Sequence, residues 1–97
     1  MRSPKPSEAG PKNVVGPKVR KARLAFDPPL TQDQLSGRLA TKQLLLDRVA
    51  ITKIENGQRC VFDFEIGTLA EVLKVDVRWL LGLQAAGGPT KQGGGSR

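Results

Sequence analysis

The stretch Asp47-Arg48-Val49-Ala50-Ile51-Thr52-Lys53-Ile54-Glu55-Asn56-Gly57 decides how the rest of this chain is interpreted. It predicts one short helix, because Asp47 is suited to cap the first turn by accepting a backbone N–H. Gly57 is suited to the left-handed conformation that ends a helix. Ile51 and Ile54 are three residues apart, so they share a face that can be buried. The other face then carries Arg48, Val49, Thr52, Lys53 and Asn56.

Four more helices and no strand are predicted around this one. The first runs from about Pro17 to Phe26, and the second follows Thr31, a natural N-cap. The fourth runs from near Asp63 to Lys74, and Asp76 can cap a short fifth helix. The segment 41–46 has two open interpretations, because it can extend the second helix by a turn or form a longer connection.

These elements predict a compact all-α domain over residues 17–83. Residues 1–16 are rich in Pro, Gly, Ser and Lys and predict a flexible basic arm. Residues 84–97 predict a flexible Gly-rich tail. The formal net charge is +7, and residues 1–23 carry +6 of it. Such an arm attracts polyanions without specifying a sequence.

Composition excludes several classes of function. The chain has no histidine and one cysteine, so Cys60 can build neither a zinc site nor an internal disulfide. No phosphate-binding loop or paired carboxylates in a glycine-rich pocket occur, so we expect neither an enzyme nor a cofactor. Because there is no apolar run of membrane-spanning length and no secretory signal, we expect a cytoplasmic protein without membrane contact. We expect Cys60 to be partly buried and Phe62 and Phe64 to lie in the core.

A short helix with an apolar back and a polar, basic front suits the major groove of DNA. The chain resembles the lambda-repressor/Cro type of helix-turn-helix proteins, also called the xenobiotic-response-element family. Three segments within about residues 16–82 carry the resemblance: Leu30-Thr31-Gln32-Asp33-Gln34-Leu35-Ser36, Ile51-Thr52-Lys53-Ile54-Glu55-Asn56-Gly57-Gln58-Arg59 and Thr68-Leu69-Ala70-Glu71-Val72-Leu73-Lys74-Val75-Asp76-Val77-Arg78-Trp79-Leu80-Leu81-Gly82. The resemblance implies a five-helix lambda-repressor-like domain that binds double-stranded DNA.

The resemblance also implies roles for individual residues. Gln32 matches a glutamine that contacts a DNA phosphate. The residues that match the base-reading face of the third helix are Arg48, Val49, Thr52 and Lys53. The residues that match contacts to the sugar-phosphate backbone are Asn56, Gln58 and Arg59. Arg23 and Glu55 match a structural ion pair between the first and third helices.

The chain departs from the family pattern at three places. Ala40 stands where the family has a glycine at the turn, and Lys74 stands where the family often has a glycine after the fourth helix. The connection between the second and third helices is longer than the family's, and Lys42 within it is a candidate phosphate contact.

These observations predict a sequence-specific transcriptional regulator, a repressor that occupies the major groove. We expect a homodimer, with Trp79 partly exposed and forming the dimer surface together with Leu83. The alternative is a protein-interaction module on the same fold, such as an antitoxin that masks a partner protein.

Overall fold

The computed structural model describes residues 11–89, and these residues form five helices and no strand. The helices are α1 (Gly16–Leu24), α2 (Gln32–Ala40), α3 (Arg48–Glu55), α4 (Asp63–Leu73) and α5 (Val77–Leu80). The predicted all-α class is thereby confirmed for this part of the chain. None of the helices in residues 11–89 has the length and apolar character needed to cross a membrane.

The helices α2, α3 and α5 begin where their capping residues predict. Thr31 Oγ1 accepts a hydrogen bond from Gln34 N at 3.0 Å, and the Gln34 side chain returns one to Thr31 N at 2.9 Å. Asp47 accepts from Ala50 N at 2.8 Å and so starts α3. Asp76 caps α5 in the same way through Arg78 N, at 2.7 Å. Each carboxylate or hydroxyl satisfies a backbone donor that has no partner inside its own helix.

The first helix begins at Gly16 and ends at Leu24, two residues before the predicted end. The N–H groups of Ala25 and Phe26 reach carbonyls three residues back, at 3.2 and 3.4 Å, which tightens the chain out of the α conformation. The next connection then returns to α1, where Leu30 N donates to Arg23 O at 3.1 Å.

The segment 41–46 forms a connection and does not extend α2. Gln43 has a φ of 65°, and Leu44 N donates back to Leu39 O at 3.0 Å, which closes the end of α2. Leu44 and Leu46 are buried, whereas Leu45 between them is exposed. The two buried leucines attach the connection to the core, so its length does not leave α3 loose.

One hydrophobic core lies between the helices and includes the predicted apolar stripes. Its fully buried large side chains are Val15, Val19, Leu35, Leu39, Ile51, Ile54, Leu69, Leu73 and Leu80. Because α3 packs against both α1 and α2, burial of its two isoleucines directs its opposite face outward.

The described parts of the predicted arm and tail contact the helical domain. Lys12 N donates to Gly57 O at 2.8 Å, and Val15 is fully buried, so residues 11–15 pack against the end of α3. At the other end Asp76 N donates to Gly87 O at 2.8 Å, so residues 84–89 fold back onto α5. The remainder of the predicted arm and tail, 1–10 and 90–97, lies outside the described residues.

The folded-back C-terminal segment covers Trp79, which corrects the prediction of a partly exposed ring. Trp79 is 5% exposed. A side chain at Gly88 would lie only 2.7 Å from the indole Nε1, which shows how closely this segment approaches the ring. Lys18, on α1, places its ammonium group 4.7 Å from the centroid of the Trp79 ring. Leu83 is exposed, but Trp79, the aromatic residue of the predicted dimer surface, is already covered by residues of its own chain.

Candidate nucleic-acid interface

The outward face of α3 presents one continuous set of side chains. Arg48, Val49 and Lys53 are exposed, and Thr52 is half-buried between α3 and α2. Asn56 and Gln58 follow the helix and are also exposed. Side chains from α2 and α3 line one shallow concavity here, namely Gln32, Arg48, Val49, Thr52, Lys53 and Gln58. The structure thus brings most of the predicted contact residues to one surface.

A buried ion pair holds the C-terminal end of α3 to α1. Arg23 Nε lies 2.7 Å from Glu55 Oε2, and a second guanidinium nitrogen lies 3.0 Å from Oε1. The two side chains are 7% and 2% exposed. The third guanidinium nitrogen donates to Leu30 O at 2.7 Å, so Arg23 also fixes the connection into α2. This bidentate geometry satisfies both charges, which a buried pair requires.

Gln32 extends this network to the outward face. Its amide nitrogen donates to Glu55 Oε1 at 3.2 Å, and its amide oxygen accepts from Thr52 Oγ1 at 2.8 Å. One amide hydrogen of Gln32 is not used by these contacts, so a phosphate contact from this residue is compatible with the network. The first turn of α2 and the middle of α3 are therefore joined by polar side chains.

Arg59 is held in place by a buried carboxylate. Its guanidinium makes two hydrogen bonds of 3.0 Å to Glu65 in the first turn of α4, and one of 2.9 Å to Cys60 O. Burial by itself would raise the pKa of the Glu65 carboxyl, but the hydrogen bonds from Arg59 and from Phe62 N outweigh it and lower the pKa below its ordinary value. The bonds to Glu65 raise the pKa of Arg59. Arg59 therefore has a structural role, and only its remaining N–H groups are available to a phosphate.

Lys42 is directed towards α4 and away from α3. Its ammonium group lies 2.9 Å from Glu71 Oε2, in an ion pair whose two side chains are exposed. Sequence reasoning assigned Lys42 a phosphate contact because it lies on the longer connection. Since the connection turns this side chain to α4, we leave Lys42 out of the interface.

Asn13 is a positioning residue that sequence reasoning missed. Its amide nitrogen donates to Ile54 O at 3.1 Å and to Arg59 O at 2.8 Å, on either side of the turn that ends α3. Its amide oxygen accepts from Val15 N and Gly16 N, at 3.1 and 2.7 Å, and so fixes the chain just before α1. The contacts to α3 span more than 40 positions and have no local signal.

Asn13 also places Lys12 beside the outward face of α3. Lys12 is exposed and lines a second shallow concavity with Lys53 and Gln58. The part of the predicted arm that the structure describes thus adds a positive charge to this surface.

Two predictions about side chains near this surface are wrong. Cys60 was expected to be partly buried and is exposed. Phe62 and Phe64 were expected in the core but are 57% and 64% exposed, with their rings stacked 5.8 Å apart. The buried position in this turn belongs to Glu65, which accepts a hydrogen bond from Phe62 N at 2.9 Å.

Comparison of the chain with protein-family models, with curated proteins and with solved structures found no match.

Proposed function

We propose that this protein is a sequence-specific DNA-binding transcriptional regulator of the lambda-repressor-like type, which places α3 in the major groove of double-stranded DNA. The observation that carries the proposal is the outward face of α3. It combines two long cationic side chains, Arg48 and Lys53, with the short side chains Val49 and Thr52 on a helix narrow enough for the groove.

The proposal divides the surface into base-reading and backbone-binding residues. Arg48 is the residue best suited to a guanine, because an arginine makes two hydrogen bonds to guanine O6 and N7. Lys12, Asn56 and Gln58 flank the helix and are suited to phosphates, which supply affinity without sequence preference. Repression follows from occupancy of the groove, in the cytoplasm where bacterial or phage DNA is found. No catalytic step and no cofactor is needed.

Selection from random duplex DNA tests the proposal. The purified chain is mixed with a random-sequence library at two salt concentrations, and the bound fraction is sequenced. An enriched motif is expected, and a palindrome with half-sites about one helical turn apart would support the homodimer. Salt-sensitive binding without any motif, or no binding at all, would contradict a sequence-specific regulator.

Three variants separate the two groups of residues. Arg48→Ala is expected to relax the motif at one base pair, by about 1–3 kcal/mol. Lys12→Gln is expected to weaken binding to every sequence and to lower the slope of log K against log salt by about one. Lys42→Gln removes the same charge from a lysine that faces α4, so it is the matched control and should leave the slope unchanged.

One observation favours the alternative, a protein-interaction module such as an antitoxin. The stacked rings of Phe62 and Phe64 are exposed, and aromatic residues are enriched at protein interfaces. If the chain selects no motif but is recovered in a complex that Phe64→Ser abolishes, the interaction module is the better description.

A further inference from the structure

The hydroxyl of Thr52 has a fixed hydrogen-bonding direction. Thr52 Oγ1 lies 2.8 Å from the amide oxygen of Gln32, which can only accept a hydrogen bond. The hydroxyl must therefore donate its single proton to Gln32. A threonine in a helix often donates to the carbonyl four residues earlier, but in this structure the donation goes to α2.

The orientation of the Gln32 amide is settled by its other partner. The atom that faces Glu55 Oε1 at 3.2 Å must be the nitrogen, because a carboxylate accepts hydrogen bonds and repels an amide oxygen. Both carboxylate oxygens of Glu55 accept hydrogen bonds from Arg23, which holds Glu55 in place. The buried ion pair thus determines which end of the Gln32 amide meets Thr52.

The consequence is an acceptor on the outward face. With its proton committed to Gln32, the Thr52 oxygen offers only lone pairs to a ligand. Among the four outward residues of α3, Arg48 and Lys53 carry only donors, and Val49 carries neither donor nor acceptor. Thr52 is therefore the member of this set that can accept a hydrogen bond from a base.

We infer that Thr52 selects a base with an exocyclic amino group in the major groove, and that Gln32 is the positioning residue for this selection. This inference rests on the proposed function. In the major groove only adenine N6 and cytosine N4 present amino donors, whereas guanine O6 and thymine O4 present acceptors. An acceptor held at Thr52 therefore favours adenine or cytosine. It repels guanine or thymine, because their carbonyl oxygens would face it with lone pairs.

Base preference at a single position is the readout, and three variants define it. Thr52→Val keeps the shape of the side chain and removes the acceptor. Thr52→Ser keeps the hydroxyl and removes the methyl group. Gln32→Met keeps the length of Gln32 and removes the amide that directs the hydroxyl. Each variant is taken through the same duplex selection as the natural chain, after its fold has been checked by the fluorescence of Trp79.

The natural chain is expected to prefer adenine or cytosine over guanine or thymine at one position of its motif. Thr52→Val is expected to reduce that preference about five- to tenfold, which corresponds to one hydrogen bond, while preferences at other positions persist. Thr52→Ser is expected to retain the preference, and Gln32→Met to lose a large part of it. A purely structural role of Gln32 would lower affinity for all sequences equally and would not change the preference at one position.

Three results would each overturn part of the inference while leaving the proposed function intact. A motif that Thr52→Val leaves unchanged at every position would show that Thr52 reads no base. A loss of preference in Thr52→Ser equal to that in Thr52→Val would assign the selection to the methyl group. A full preference in Gln32→Met would remove Gln32 from the positioning role. If the natural chain yields no motif, both the proposed function and the inference fail.

Discussion

Substitution of Arg23 by methionine removes the charge that neutralises Glu55 inside the protein. Methionine fills much of the space of the arginine stem, so the change leaves a small void and chiefly removes the guanidinium. Glu55 loses both of its hydrogen bonds to Arg23 and keeps only the contact from Gln32. The carbonyl of Leu30 loses its side-chain partner as well.

The loss is large because Glu55 cannot reach water. Its side chain is 2% exposed, so it stays in a medium that solvates a carboxylate poorly. Breaking a buried pair by removing one partner costs about 3–5 kcal/mol. A domain of this size has a free energy of unfolding of about 5–10 kcal/mol, so Arg23→Met should remove roughly half of its stability.

Urea denaturation measures this directly, because Trp79 is the single tryptophan of the chain and is buried. With an m-value of about 1.5 kcal/mol/M, the midpoint should fall by about 2–3 M. Arg20→Met makes the same substitution at an exposed position of α1 and should change the free energy by less than about 0.5 kcal/mol. The double variant Arg23→Met/Glu55→Leu removes the stranded charge and should recover much of the loss.

A cost below about 1 kcal/mol for Arg23→Met would refute this reasoning, because that value is typical of a solvated surface pair. A double variant as unstable as the single one would also refute it, since the penalty would then come from lost packing rather than from the uncompensated charge.

Three further predictions follow from contacts around α3 and α4. Glu65→Gln should cost about 1–3 kcal/mol at pH 7. Folding lowers the pKa of Glu65, so the stability that its carboxylate contributes is present above the ordinary carboxyl range and is lost as the pH falls through the lower folded value. The cost of Glu65→Gln should therefore shrink from pH 7 towards pH 3. An equal cost at pH 7 and pH 3 in urea titrations would contradict this prediction. Asn13→Asp keeps an acceptor for Val15 N and Gly16 N but loses both donors to backbone carbonyls, so it should lower the free energy of unfolding by about 1–3 kcal/mol. An unchanged urea midpoint would show that these bonds contribute nothing. Lys74→Gly should raise the free energy of unfolding by about 0.5 kcal/mol, because Lys74 has a φ of 61° that glycine adopts without strain. Thermal melts measure this change, and a lower melting temperature would contradict the account.

The features that could be predicted from the sequence depend on neighbours within about four positions. Capping by Thr31, Asp47 and Asp76 requires only a short polar side chain before a helix, and the burial of Ile51 and Ile54 requires only helical spacing. Capping locates three of the five helix starts and helical spacing locates the outward face of α3, which is why the class of fold and most of the candidate interface can be predicted from the sequence.

The features that could not be predicted depend on contacts between distant segments. Trp79 is buried because a Gly-rich segment with no apolar pattern folds over it, and nothing in the composition of residues 84–89 indicates this. Lys42 and Arg59 look alike in the sequence as cations near α3. The structure distinguishes them, because Lys42 pairs with the exposed Glu71 on α4, whereas Arg59 pairs with the buried Glu65 on the same helix. Lys74 occupies the left-handed conformation, with a φ of 61°, although lysine as a residue type does not indicate it.

A further group of long-range contacts lies at the C-terminal half of α3. Glu55 is bonded to α1, Thr52 is bonded to α2, and the carbonyl of Ile54 accepts from Asn13 ahead of α1. By contrast, the start of α3 follows a long connection that is attached through Leu44 and Leu46. The orientation of α3 is therefore determined from its C-terminal end, where buried polar contacts allow one geometry. Under the proposed function, the longer connection then does not alter the angle at which α3 enters the groove, because that angle is fixed by residues that do not belong to the connection.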